Sequence, residues 1–86
     1  MSYKVKWHPQ AYKILKKLPK DIIGRILDKI DLVIQDPFRY LEHFEGEDRY
    51  KLRIGDYRAL VIVETKEKLL LIKVFDHRKR IYKKAF

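Results

Sequence analysis

The stretch 50–64, YKLRIGDYRALVIVE, decides the fold. Tyr50, Leu52 and Ile54 alternate with Lys51 and Arg53, the period of a strand with one apolar and one cationic side. Gly55-Asp56 reads as a two-residue hairpin turn. An almost wholly apolar strand resumes at Tyr57, with a further cation, Arg58, near its start. After the turn signal TKEK (65–68) comes LLLIKVF, apolar toward both faces. Strands over about 50–54, 57–64 and 69–76 therefore make an antiparallel meander of two hairpins. The last of them is expected to lie centrally, covered on both sides.

Upstream, Tyr3, Val5 and Trp7 alternate with Lys4 and Lys6, which predicts an N-terminal strand. Pro9 suits the first turn of a helix, and Ala11, Ile14, Leu15 and Leu18 recur at helical spacing. Pro19 ends that helix and opens another, whose apolar stripe is Ile23, Ile26, Leu27, Ile30, Val33 and Ile34. It stops at Asp36-Pro37. Only a residue or two separates the helices, so they form an antiparallel hairpin. Residues 37–49 show no period and read as a loop. One helical layer covers one face of the sheet. The basic tail after Arg78, with Ile81, Tyr82 and Phe86 as its apolar members, is the segment left to cover the other. The expected fold is α+β, in one domain over residues 1–86: a strand, a helical hairpin, then a meander forming one sheet packed on the helices.

Composition narrows the function. Cysteine is absent, so neither disulfides nor thiolate zinc sites staple the chain, and 47% hydrophobic residues must supply the core. No apolar run approaches the ~18 residues of a membrane span, so a cytoplasmic protein without a membrane partner is expected. Twenty-one Lys and Arg against twelve Asp and Glu give a net charge of +9, which points to a polyanion or an acidic partner. The excess concentrates in HRKRIYKK (77–84), with five cations and no acid, whereas 20–36 mixes both signs like an ordinary solvated helix face.

With Tyr50, Leu52 and Ile54 facing the helices, Lys51 and Arg53 project from the opposite face about 6.6 Å apart. Arg58 stands on the neighbouring strand, and Arg78 leaves the end of the last one. Four cations thus converge on one face and make a phosphate-binding surface. RNA cleavage without a metal needs a base for the ribose 2′-OH, cations for the phosphorane oxygens and an acid for the leaving 5′-oxygen. Guanidinium forks serve the middle role, and a lysine among cations is a candidate base. His77 lies directly before Arg78 and joins the candidates. His8 and His43 are read as structural or merely exposed. Tyr82 offers a ring for stacking a base and a hydroxyl near the scissile phosphate. Lys79, Arg80, Lys83 and Lys84 are expected to hold RNA. No carboxylate pair, HExxH or Cys/His set stands among the cations, so neither a metal nor another cofactor is called for.

YKLRIGDYRALVIV (50–63), followed by VFDHRKRIY (74–82), resembles the RelE/ParE toxin superfamily, with its Y-R-L-R-x-G-x-Y-R hairpin and final H-R-x-x-x-Y element. The order of elements is similar along essentially the whole chain. The resemblance implies a RelE-like, microbial-RNase-like fold. It implies a toxin that enters the ribosomal A site and cuts mRNA there, leaving a cyclic phosphate or 3′-phosphate and a 5′-hydroxyl. It also implies an acidic RelB-like antitoxin that wraps the toxin and with it represses their operon, so operator DNA is met only through the antitoxin complex. Lys51 and Arg53 match the basic pair, Arg58 the phosphate-contacting arginine, Arg78 the arginine near the leaving oxygen, and Tyr82 the C-terminal aromatic. Two departures stand out. Asp76 occupies a place where glycine is common, and the spacing from Arg78 to Tyr82 differs from some members. Two other readings compete: a ParE-like inhibitor of DNA gyrase, and a basic RNA- or ribosome-binding module without catalysis.

Overall fold

The alternation in residues 50–64 becomes two paired strands in the computed structural model, which describes residues 2–86. The elements run β1 (Lys4–Trp7), α1 (Pro9–Lys16), α2 (Lys20–Gln35), α3 (Pro37–Tyr40), β2 (Glu42–Glu45), β3 (Arg49–Ile54), β4 (Tyr57–Glu64), β5 (Leu69–His77) and α4 (Arg78–Lys84). One five-stranded sheet has the order β1-β5-β4-β3-β2. The four strands β2 to β5 are antiparallel, and β1 pairs parallel to β5 at the edge. The fold is α+β, as expected. β4 is the middle strand, so the expectation that the last strand lies centrally is corrected: β5 is interior but next to the edge.

Gly55 has φ +58°, a left-handed value that a side chain disfavours, and Ile54 pairs directly with Tyr57 across it. That tight turn locks the register of β3 on β4. Leu52 and Ile54 then join Ala59, Val61, Val63, Leu70, Ile72 and Phe75 on one face. Ala11, Leu15, Ile26, Ile30 and Val33 close the core from the helices. A β-bulge in β5 makes this possible. Val61 pairs with Ile72 and Leu60 with Val74, so Lys73 is the extra residue. Strict alternation from Ile72 would turn Phe75 outward; the bulge turns it in, to 1% exposure against Trp7 and Tyr57.

α4 lies on the other face over β4 and β5. Its Ile81 is fully buried there, and Leu60 is buried on that face too, so the tail does supply a cover. The cover is partial. Ile62, Leu69 and Leu71 stay half-buried, and Tyr82 is exposed rather than packed.

Residues 37–49 are not the uniform loop expected. Pro37 opens a single helical turn, and β2 pairs Glu42 with Lys51 and His43 with Tyr50. A single helical turn is too short to display a period, and EHFE in β2 has one apolar residue and so shows no alternation. In α2 the expected Ile23, Ile26, Ile30, Val33 and Ile34 do pack on the core, joined by Ile22, while Leu27 is exposed. Among the described residues no helix is long and apolar enough to cross a membrane.

Candidate active site

Pairing partners in a sheet share a face, which places the cations. Lys51 pairs with Leu60, Arg53 with Arg58, and Arg58 with Asp76 on its other side. All of these residues belong to the face that carries α4. Lys51, Arg53 and Arg58 line one cleft of about 330 Å³, with Tyr82 and Phe86 as an aromatic wall and Tyr40 and Glu42 at the β2 end. Three of the four cations expected to converge, together with Tyr82, are thus brought together.

Each is held differently. The Lys51 ammonium lies 5.0 Å from the centre of the Phe44 ring and 4.9 Å from that of Phe86, a cation–π contact on each. The Arg58 guanidinium donates to the carbonyls of Gly55 (2.7 Å) and Tyr57 (2.8 Å), so the hairpin turn fixes its direction. Arg53 stands opposite Arg58 with its side chain exposed. Like charges directly opposed on a sheet are destabilising. Among the described residues no ion pair neutralises Lys51, Arg53, Arg58 or Arg78.

The other candidates sit elsewhere. Arg78 opens α4, exposed, with its N–H donating to Asp56 O at 2.8 Å; its backbone is tied to the turn that holds Arg58, but it does not line the cleft. His77 caps the N-terminus of α4, its Nδ1 accepting from Lys79 N–H at 3.2 Å. Its ring packs edge-on against Tyr57 and lines a separate cavity of about 380 Å³ beside Arg25 and Lys29 of α2. Lys79 and Lys83 are exposed. Arg80 and Lys84 are tied to Asp76, at 3.1 Å and 2.6 Å. His8 caps α1 through Nδ1, and His43 is exposed against Tyr50.

Asp76 is buried to 2% exposure. Burial alone would raise its pKa. The hydrogen bonds from Lys84, from the His77 N–H and from Arg80, with the charge of Lys84, outweigh burial and hold the carboxyl below its ordinary 3.8.

Sequence reasoning missed Phe44 and the place of Phe86, which meet edge-on and both touch Lys51, and Glu42, the one carboxylate lining the cleft. One signal was available: Phe86 follows Tyr82 by four residues, so the two share a helical face. Chemically, the cleft offers cations without an ion pair for a phosphate, an aromatic wall for a base, and a lysine, a tyrosine and a carboxylate lining one volume.

A family model described as ParE toxin of type II toxin–antitoxin system, parDE, matches residues 5–82. Among solved structures, a chain of the archaeal RelE–RelB complex of Pyrococcus horikoshii is 34% identical, with a TM-score of 0.80 over 93% of this chain and 99% of that one. A chain of the RelBE2 toxin–antitoxin complex of Mycobacterium tuberculosis is 25% identical, with a TM-score of 0.79 over 91% of this chain and 100% of that one. The isolated RelE toxin of E. coli, at 20% identity and a TM-score of 0.76, covers 98% of this chain and 95% of its own, and shares the fold.

Proposed function

The chain belongs to the family of ParE toxins of type II toxin–antitoxin systems, as a RelE-like member of the RelE/ParE superfamily, and from that premise we propose that it is a ribosome-dependent endoribonuclease. The substrate is mRNA held in the A site. The 2′-oxygen of a ribose attacks the adjacent phosphorus, a 2′,3′-cyclic phosphate forms, and the 5′-oxygen leaves with a proton. The observation that carries this reading is the Arg53–Arg58 pair, two guanidinium groups opposed across the hairpin with no acid between them. A phosphate between them turns that repulsion into charge-assisted binding, strongest when the phosphorane gathers negative charge. Tyr82 and Phe86 stack a flanking base. Lys51, Tyr82 and Glu42, which line the cleft, are the candidates to take the 2′-proton, and Arg78, which opens α4 outside the cleft, is assigned to the leaving oxygen by its match to the family motif. Lys79 and Lys83 steer the strand from outside.

The partner is an acidic, RelB-like antitoxin, as the complex formed by the Pyrococcus horikoshii relative suggests. It meets the cations of the hairpin and tail, and operator DNA only in that complex. The toxin acts in the cytoplasm on the 70S ribosome. Toeprinting on programmed ribosomes tests the activity: a new mRNA end in the A-site codon is the expected result. Lysine and tyrosine side chains titrate near ~10 when free, and a flexible strand rarely aligns its 2′-oxygen with the leaving group. Naked mRNA should therefore be cut slowly or not at all. Equal rates with and without ribosomes would make the protein a free-standing nuclease. The family model is itself one of ParE toxins, which favours a second reading, inhibition of DNA gyrase. Gyrase-dependent DNA breaks without mRNA cleavage would support it.

A further inference from the structure

The cleft has two walls of unequal stiffness. Lys51, Arg53 and Arg58 stand on β3 and β4, whose ladder runs unbroken from Arg49↔Ile62 to Ile54↔Tyr57. Tyr82 and Phe86 come instead from α4 and the residues after it. A helix of seven residues is not stable on its own, and Ile81 is its one buried side chain. A single apolar peg leaves a short helix free to roll.

Asp76 removes that freedom. Its Oδ1 accepts from the His77 N–H at 2.7 Å and from Arg80 Nε at 3.1 Å, and its Oδ2 accepts from Lys84 Nζ at 2.6 Å. Arg80 and Lys84 lie four residues apart, on one stripe of α4. At about 100° per residue, Ile81 sits roughly a quarter-turn from that stripe and Tyr82 on its far side, its ring against that of Phe86 just beyond the helix. The carboxylate therefore grips the flank of the helix opposite the one that enters the cleft. A roll about Ile81 becomes a displacement of the Tyr82 ring.

We propose that Asp76 is a positioning residue for the cleft, fixing through Arg80 and Lys84 the roll of α4 that keeps Tyr82 and Phe86 beside Lys51, Arg53 and Arg58. The role rests on the reading of this cleft as the site of mRNA cleavage. It also gives Arg80 and Lys84 work other than holding RNA.

Asp76→Asn keeps an acceptor for the His77 N–H and loses the charge that draws Arg80 and Lys84. Single-turnover cleavage on programmed ribosomes should fall about 10-fold or more, since a displacement of about 1 Å can cost up to ~10²-fold. The ribosome concentration at half-saturation should not change. In a Tyr82→Ala, Phe86→Ala background the same substitution should cost little further, because the groups it displaces are gone. A loss of equal size in both backgrounds, or none in the wild-type background, overturns the proposal. Arg80→Gln removes a side chain that is 67% exposed, spares the fold, and should reproduce the loss. A second readout needs no cleavage. The Lys51 ammonium lies against two rings, so the neighbouring methylene protons should be shifted by ring currents, and the shift should shrink in Asp76→Asn and Arg80→Gln. An unchanged shift overturns the positioning. A wild-type protein that cuts no mRNA, yet loses the shift on these substitutions, supports the positioning and removes the nuclease reading alone.

Discussion

Two groups of cations occupy the same face of the sheet, and they have opposite fates. Arg80 and Lys84 converge on the buried carboxylate of Asp76 and tie a helix to the sheet. Lys51, Arg53 and Arg58, across the cleft from that helix, form no ion pair among the described residues, and two of them face each other. The first group shares one buried negative charge and belongs to the fold. In the second, an edge-to-face aromatic pair holds Lys51 and turn carbonyls hold Arg58, devices that fix a cation without cancelling its charge. Net charge alone does not separate the two. What separates them is whether a buried counter-charge has been placed at their convergence.

The strongest way to break this contrast is to remove a cation that no acid holds. Arg58→Ala is expected to lower single-turnover mRNA cleavage by about 10²–10³, the usual loss for a donor preorganised toward a developing oxyanion. Arg78→Ala should act in the same direction. Neither side chain packs in the core, so circular dichroism and melting should stay close to wild type. A loss below about threefold for both would remove them from the site.

The opposite result is expected from the paired group. Asp76→Asn should destabilise the fold by about 1–2 kcal/mol, discounted because Arg80 and Lys84 remain largely in water. Its pH dependence has a definite sign. The folded carboxyl titrates below 3.8, so its stabilisation is complete above that value and lost as pH falls through the lower folded one. Urea unfolding should therefore show the full gap between wild type and Asp76→Asn near neutral pH, and a gap that narrows only below 3.8. A gap that closes already between about pH 7 and 5 would assign the coupling to a histidine instead.

The hairpin half of this contrast was legible in the sequence, because alternation and a Gly-Asp turn are local signals. Tyr50, Leu52 and Ile54 do face inward, and Lys51, Arg53 and Arg58 do share the outer face. The tail half was not. Asp76 stands out in the sequence as a departure, but its pairing with Arg80 and Lys84 depends on Ile81 docking over β4 and β5, a non-local event. His77 read as part of the cluster because it adjoins Arg78, yet neighbours at the end of a strand point to opposite faces, and it caps the helix instead. The bulge at Lys73 has only a faint local signal within LLLIKVF, the single charged residue of an otherwise apolar run. The parallel pairing of β1 with β5 joins segments more than sixty residues apart, and propensity along the chain carries no trace of it.

The smallest expected effect is also the sharpest test of the contrast. If Arg53 and Arg58 repel across the hairpin with nothing between them, removing one charge should stabilise the free protein. Arg53→Gln keeps a long polar side chain at an exposed strand position and deletes the charge. The gain should be about 0.2–1 kcal/mol by urea unfolding, the range for directly opposed pairs on a sheet. It should shrink as salt rises, because at 1 M the screening length falls to about 3 Å, shorter than the separation of paired strands. Phosphate or a short oligonucleotide should abolish it too, by stabilising the wild type more than the variant. A loss of stability in Arg53→Gln would mean the arginine is held by packing. A gain that ignores salt would mean the backbone or the side-chain stem, not the charge, was the source. Only a gain that fades with both salt and phosphate shows that the fold tolerates a standing repulsion where a polyanion is meant to sit.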